Sequence, residues 1–594
     1  MQAESVTESC AGQLHRTTLF GVFFEMPPNP RAMTRVRPAL LAALLALTAL
    51  PACAQGRRGQ AAPVAAPVAA PVAAPVAAPA PAAVAAGLRP TLILLLTVDQ
   101  LRPEYLERWD AQFTGGLRTL LDGGLFLSKG VHDHGITETA PGHASILSGR
   151  FPYSTGISSN SAGVNTSAAP LLDSEGVGAS PFRFIGSTLA DWMTAADPRT
   201  RVLSVSRKDR GAILPIGRGK YPVFWYAQRS GFFTTSTYYA DTLPTWVRAF
   251  NAEDRVDTRY AGRTWDLLLP TDAYPEPDSV EAESAGQDFQ MPHFMPNDSA
   301  LARQFIIGQP WMDEFTLDFA WRGVRTMNLG AGPQTDLLAV SLSTTDAVGH
   351  RFGPDSRELH DQMLRLDRSL GVFLDSLFAL RGREHIVIAL TADHGVAPIP
   401  EVRSTFDDNR GAIRVREALF TPLFNAIIPL AQRAEIPLDA FTFDFPEFAV
   451  DRSRAVGKER QLVQIARTFA ASARRIPGVM RVDVIDDLAR ADTTTDVIAR
   501  RWLHMFRPGG NTIAAITLDP FNYIGSGIAS HGSPHDYDAR VPVLFWGRPF
   551  RHAKDEGPAR VVDIAPTLAH LLGLTPSERL DGVILGRAFV PVPE

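Results

Sequence analysis

The sequence predicts an α/β fold on a buried, mixed and mostly parallel sheet, and three observations carry that prediction. Thr91–Val98 (TLILLLTV), Asp336–Ser343 (DLLAVSLS) and the start of Ile386–Gly395 (IVIALTADHG) are apolar runs of strand length, the pattern of strands covered on both faces. Between the second and third runs, Leu359, Met363, Leu366, Leu370, Phe373 and Leu377 recur in steps of three and four. That is one apolar stripe of a helix, and it completes a right-handed strand–helix–strand unit. Each run also stops near acids: Asp99 after the first, Asp346 with His350 after the second, Asp393 with His394 in the third. Sheets of this kind place ligands beyond the carboxyl ends of their strands, and carboxylate oxygens beside imidazole nitrogens suit a metal such as zinc. A polar turn facing water explains one such ending more easily than three.

In chain order, residues 1–32 have no useful periodicity and read as an upstream extension ahead of Met33. Residues 33–54 carry Arg35 and Arg37, the apolar run Ala39–Leu50 and the closing Pro51-Ala52-Cys53-Ala54. That order is a secretory signal whose apolar part is too short for a membrane span, so a periplasmic or secreted protein is expected. Leu50-Pro51-Ala52-Cys53 also loosely resembles a lipobox, which leaves a lipid anchor on Cys53 as an equal outcome. Residues 55–88 form a tether, because Ala-Ala-Pro-Val repeats through 61–86 and Pro at that interval favours extended chain. The only two cysteines, Cys10 and Cys53, precede the tether, so no thiol nucleophile or disulfide is expected beyond it. A net charge of -5 provides no basic field for nucleic acid.

Thr137–Gly149 (TETAPGHASILSG) follows the first strand. Pro141 suits the first turn of a helix that Gly142 to Leu147 continue. A hydroxyl ahead of that turn sits where backbone N–H groups favour an anion, and Thr139 is placed for it. An ordinary N-cap is the plain alternative for Thr139. Thr137 and Ser145 are rival hydroxyls, and His132, His134 and His143 read as structural or surface histidines.

Asp99, Thr139 in TAPGH, Asp346-x-x-x-His350, Asp393-His394-Gly395 and His531-Gly532 together resemble the alkaline phosphatase superfamily. The resemblance is to its threonine-nucleophile, phosphate-irrepressible alkaline phosphatases, relatives of the nucleotide pyrophosphatase/phosphodiesterases, and it runs from about Thr91 to the C-terminus. It implies an alkaline-phosphatase-like three-layer sandwich with two Zn²⁺ ions. Asp99, Asp393 and His394 would hold one ion with Thr139 bound to it, and Asp346, His350 and His531 the other. His535 competes with His531, which better matches the family's SHG pattern. Thr139 would be phosphorylated and then freed by water.

Asn160, in TGISSN, matches by its spacing the family's donor to a phosphoryl oxygen; a loop asparagine bonded to its own backbone is the alternative. Ser206-Arg207-Lys208-Asp209-Arg210 resembles the family's Ser-x-Lys-x-Arg segment. Lys208 and Arg210, two apart on extended chain, would point the same way toward one phosphate; a solvated charge run is the alternative. Trp225–Tyr239 (WYAQRSGFFTTSTYY) either frames the pocket or packs on the sheet. The catalytic domain is expected over 89–400 and 521–594, interrupted by a cap subdomain over 401–520 that includes the apolar run Thr512–Leu518. Val541–Trp546 reads as a core strand and Val562–Leu572 as a helix over the sheet. The expectation is a phosphate monoesterase acting on small molecules. The rivals are a phosphodiesterase or nucleotide pyrophosphatase on the same scaffold and, more distantly, an inactive surface-displayed binding protein. A sulfatase would need a Cys- or Ser-x-Pro-x-Arg segment at the nucleophile, which is missing, and a cofactor-independent phosphoglycerate mutase usually uses serine.

Overall fold

The three apolar runs become neighbouring strands. Leu92–Val98 lies between Ile386–Thr391 and Asp336–Leu342 and is parallel to both, in a computed structural model that describes residues 89–405 and 411–591. The expected leader, the tether and both cysteines lie outside the described residues. Every residue of these three strands is buried, as their unbroken apolar character requires. Register brings their ends level: Thr97 pairs with Thr391 on one side and Ser341 on the other. The acids that follow the strands therefore emerge at one edge of the sheet.

Among the described residues, nine strands make up that sheet. In spatial order they are Ala553–Asp555, Gly124–Leu127, Val543–Trp546, Ile386–Thr391, Leu92–Val98, Asp336–Leu342, Val202–Ser206, Val223–Ala227 and Phe232–Thr234. The centre is parallel, while Val543–Trp546 and Phe232–Thr234 run antiparallel to their inner neighbours. Arg357–Arg381 is the expected crossover helix. Its entry is capped by Ser356, whose Oγ accepts from the Leu359 N–H at 3.2 Å, and its buried stripe includes Leu359, Met363, Leu366, Leu370 and Leu377. The aromatic stretch packs on the sheet: Phe233 stacks on Phe319 of the helix Trp311–Thr326 with ring centres 4.0 Å apart. The C-terminal helix begins as a tight turn, Val561–Asp563, and continues as Ile564–Leu572. Among the described residues, no helix is long and apolar enough to cross a membrane.

Within 401–520 the chain forms a second, antiparallel sheet in the order Phe441–Asp444, Glu447–Val450, Thr512–Leu518, Val479–Val484. Helices Leu423–Arg433 and Glu459–Ala473 close a separate apolar core against it, with Phe448 and Phe469 stacked 4.1 Å apart. A further helix of this segment, Val497–Met505, reaches back to the main fold. There Arg500 pairs with Asp133 at 2.9 Å, and Trp502 fills the space beside Gly135. The loop leading to Thr139 is thus braced by the insertion.

Candidate active site

Each strand end delivers its polar residues by a short, local device. Asp99 directly follows Val98. Asp346 sits in the first turn of the helix Thr344–Phe352 and His350 one turn on, so both project from one face. Asp393 and His394 leave the end of Ile386–Thr391, and His531 arrives on the loop that returns from the insertion. Two sets of donor atoms converge, each within 4.8 Å: Asp346, His350 and His531, and Asp99, Asp346 and His394. His394 and His531 stack with ring centres 3.5 Å apart, so the sets are contiguous.

The first set is the trio expected from sequence. The second differs in one member, because Asp346 takes the place expected for Asp393. Lys208 explains the difference: its Nζ lies 2.7 Å from Asp346 Oδ2 and 2.9 Å from Asp99 Oδ2, drawing these two carboxylates together. Asp393 stays adjacent, with Oδ2 3.5 Å from His394 Nε2, but it also faces His143 Nδ1 at 3.2 Å.

The three histidines share one tautomer. Nδ1 of His350, His394 and His531 lies 2.8–2.9 Å from the carbonyls of Ala529, Gly395 and Thr137. A carbonyl only accepts, so Nδ1 carries the proton and the Nε2 lone pair turns inward, the arrangement of metal-binding imidazoles. Burial depresses His394 despite Asp393 and Asp346, and it pushes His531 well below the usual range with His394 and His350 adding to the effect. His535 is oriented otherwise, Nε2 to the Leu518 carbonyl at 2.8 Å, and belongs to neither set.

The pocket carries an excess of buried negative charge. Burial, then the Asp346 and Asp393 charges, push the Asp99 carboxyl well above its usual range. Among the described residues, Asp99 Oδ1 and Asp393 Oδ2 receive no hydrogen bond. Buried carboxylates left this way are costly unless a cation compensates them. Oxygen and imidazole donors aimed at common points fit divalent metal ions of the zinc type.

Thr139 is the first residue of the helix Thr139–Ile146 rather than its cap; that position falls to Glu138. Its Oγ1 lies 3.4 Å from His394 Nε2 and 3.3 Å from Lys208 Nζ. The rival hydroxyls are turned elsewhere, Thr137 donating to the Ser533 carbonyl and Ser145 to that of Pro141, both at 2.8 Å. Asn160 is tied to the same helix start: its Oδ1 accepts from the Ala140 N–H at 2.9 Å, and its own N–H donates to Glu138 Oε2 at 2.6 Å.

Lys208 and Arg210 do not share one extended segment. Lys208 is extended, but a helix begins at Asp209, and residues two apart on a helix face different ways. The Lys208 ammonium lies inside the carboxylate cluster, while the half-buried Arg210 lies 3.8 Å from Asp209. Two residues passed over in the sequence also belong to the site. His143, read there as structural or surface, is buried and bonds through Nδ1 to the Thr139 carbonyl at 2.9 Å and through Nε2 to Ser341 Oγ at 2.9 Å. Gln100 donates to carboxylates of both Asp346 and Asp393. Their only sequence signals were position, one residue after Asp99 and one helical turn after Thr139. His132 bonds the Ala392 carbonyl through Nε2 at 2.8 Å, and His132 and His134 are buried outside both donor sets.

Close approach of the Thr139 helix to the Asp393 turn depends on Gly142, where an added Cβ would lie 2.2 Å from the Asp393 carbonyl oxygen. Gly142→Ala is therefore expected to lower stability by about 1–3 kcal/mol, the usual cost of overpacking, and to reduce turnover and metal content together. Thermal unfolding and metal analysis of the purified variant check this.

The pattern of one family, type I phosphodiesterase / nucleotide pyrophosphatase, matches residues 93–415. Alkaline phosphatase PhoV of Synechococcus elongatus is 30% identical over 522 residues, covering 84% of this chain and 92% of that protein. Alkaline phosphatase PhoK of a Sphingomonas species is 32% identical over 531 residues, with 84% and 91% covered. The crystal structure of wild-type alkaline phosphatase PafA superposes with a TM-score of 0.75 at 26% identity, covering 84% of this chain and 99% of that one. A variant of PafA substituted at a threonine, an asparagine, a lysine and an arginine superposes equally well.

Proposed function

The chain belongs to the type I phosphodiesterase / nucleotide pyrophosphatase family, and we propose that it is an alkaline phosphatase hydrolysing phosphate monoesters through a phosphothreonine at Thr139. One observation carries this reading: the Thr139 hydroxyl lies against His394 and Lys208, where the two donor sets meet. The alkaline phosphatase names of its relatives support it. So does the PafA variant, whose altered threonine and asparagine, and altered lysine and arginine, stand at the same intervals as Thr139 and Asn160, and Lys208 and Arg210.

Two zinc ions would suit these donors: Asp346, His350 and His531 would hold one, and Asp99, His394 and Thr139 the other, with Asp393, whose Oδ2 lies 3.5 Å from His394 Nε2, taking the place that Asp346 occupies in the structure. Bound there, they would supply Lewis acidity that lowers the pKa of a hydroxyl or water and offsets charge on oxygen. The chain's own groups do the rest. Thr139 Oγ1 gives up its proton to solvent and attacks phosphorus; a P–O bond forms to Thr139 as the bond to the leaving oxygen breaks, and that oxygen takes up a proton from solvent. Water then attacks the phosphothreonine, releasing phosphate and restoring the hydroxyl. Asn160 is held by Ala140 through its Oδ1, so its Nδ2 protons remain to orient a phosphoryl oxygen. His143 keeps the helix start against Asp393. Lys208 and Arg210 would balance the second charge of a monoester dianion. The signal over 33–54 supports a periplasmic or secreted location, with lipid on Cys53 as the alternative.

Diester hydrolysis is the second reading, and the inward placement of Lys208 against Asp99 and Asp346 favours it, since that ammonium is engaged by the chain's own carboxylates. The two separate on substrate charge. A monoester presents three non-bridging oxygens sharing two charges and a diester two sharing one, and each charge-assisted contact is worth about 1.5–3 kcal/mol, or roughly one to two decades in rate. Replacing Lys208 and Arg210 together by Ala is expected to cut kcat/KM for an aryl phosphate monoester by several decades and for the matching diester far less. A wild-type enzyme preferring the diester would overturn the monoesterase reading.

A further inference from the structure

Gln100 stands where the three central strands end. It follows Asp99, its backbone N–H donates to Asp393 Oδ1 at 3.1 Å, and its Nε2 donates to Asp346 Oδ1 at 3.0 Å. One residue thus reaches acids from both flanking strands, some 246 and 293 positions away. Asp346 Oδ1 is also the oxygen facing His350 Nε2 at 3.3 Å and His531 Nε2 at 3.9 Å.

Two features show that the amide comes at a local cost. Gln100 has φ 68, the left-handed region where glycine is the unstrained choice. It is also buried, and its Oε1 has no hydrogen-bond partner among the described residues. A glycine would make the same turn and keep the N–H bond to Asp393 without burying an amide. Room for the amide is supplied by Gly349, between Asp346 and His350 on their helix, where a Cβ would lie 1.9 Å from Gln100 Oε1.

Resting on the metal-dependent reading above, we propose that Gln100 is a positioning residue. Its amide sets the Asp346 oxygen shared with His350 and His531, while its backbone ties that trio to Asp393. Partners that orient metal-binding carboxylates typically change metal affinity 10–100-fold when removed.

The test uses Gln100→Gly, which relieves the backbone, and Gln100→Met, which fills the space without a donor. Metal-free full-length protein is titrated with Co²⁺ and followed by visible absorption with chelator competition; His350→Ala and His394→Ala assign the two binding steps. In both variants the His350-dependent step is expected to weaken about 10–100-fold, with the His394-dependent step and the unfolding temperature changing little. Wild-type affinity at the His350 step in either variant would overturn the proposal, and so would equal weakening of both steps. Loss of cooperative unfolding in both variants would make Gln100 a folding residue instead. Wild-type protein that binds no Co²⁺ would overturn the metal reading itself, and this inference with it.

Discussion

Thr139→Ala is expected to fold, retain its metals and lose at least about a thousandfold in turnover of a phosphate monoester, because removing a covalent nucleophile leaves only direct attack by water. The expectation of intact folding follows from the side chain's contacts. Glu138 holds the cap position, and among the described residues the polar partners of Thr139 Oγ1 are His394 and Lys208. Thr139→Ser keeps the hydroxyl and is expected to lie between Thr139→Ala and wild type. Acid-quenched reactions analysed by mass spectrometry should carry phosphate on Thr139. Phosphate on Thr137 or Ser145 would identify a different nucleophile, against the carbonyl-directed hydroxyls of those residues.

Removal of metal should cost both activity and stability. Treatment with a chelator is expected to abolish turnover, and Zn²⁺ to restore it at close to two ions per chain. The same treatment should lower the unfolding temperature, since Asp99, Asp346 and Asp393 would then share a buried pocket in which the Lys208 ammonium pairs with the first two. A ligand at a thousand times its dissociation constant stabilises the native state by about 4 kcal/mol, so the shift is readily seen by calorimetry. His350→Ala and His394→Ala should each lower metal content and rate. A metal-free preparation with full activity would overturn the reading.

The fold and much of the site were legible in local pattern. Apolar runs without alternation marked Leu92–Val98, Asp336–Leu342 and Ile386–Thr391 as doubly covered strands, and steps of three and four marked the helix Arg357–Arg381. The acids at the strand ends were visible because a strand's burial ends where its polar residues begin. Asp346 and His350 could be paired because four residues on a helix is one turn.

Only the tertiary structure decided what each remaining polar side chain faces. It set Thr139 apart from Thr137 and Ser145, whose hydroxyls donate to backbone carbonyls, and His531 apart from His535, whose Nε2 faces the Leu518 carbonyl. It placed the Lys208 ammonium in the carboxylate cluster, where the sequence alone had suggested a pair with Arg210 aimed together at one phosphate. It also brought in Gln100 and His143, whose partners lie some 198 to 293 residues away in the chain. Periodicity reports which face of an element is buried, and that is a property of neighbours along the chain. Which donor meets which acceptor depends on strand register and on the few ångströms between separate elements, and no local pattern carries that information.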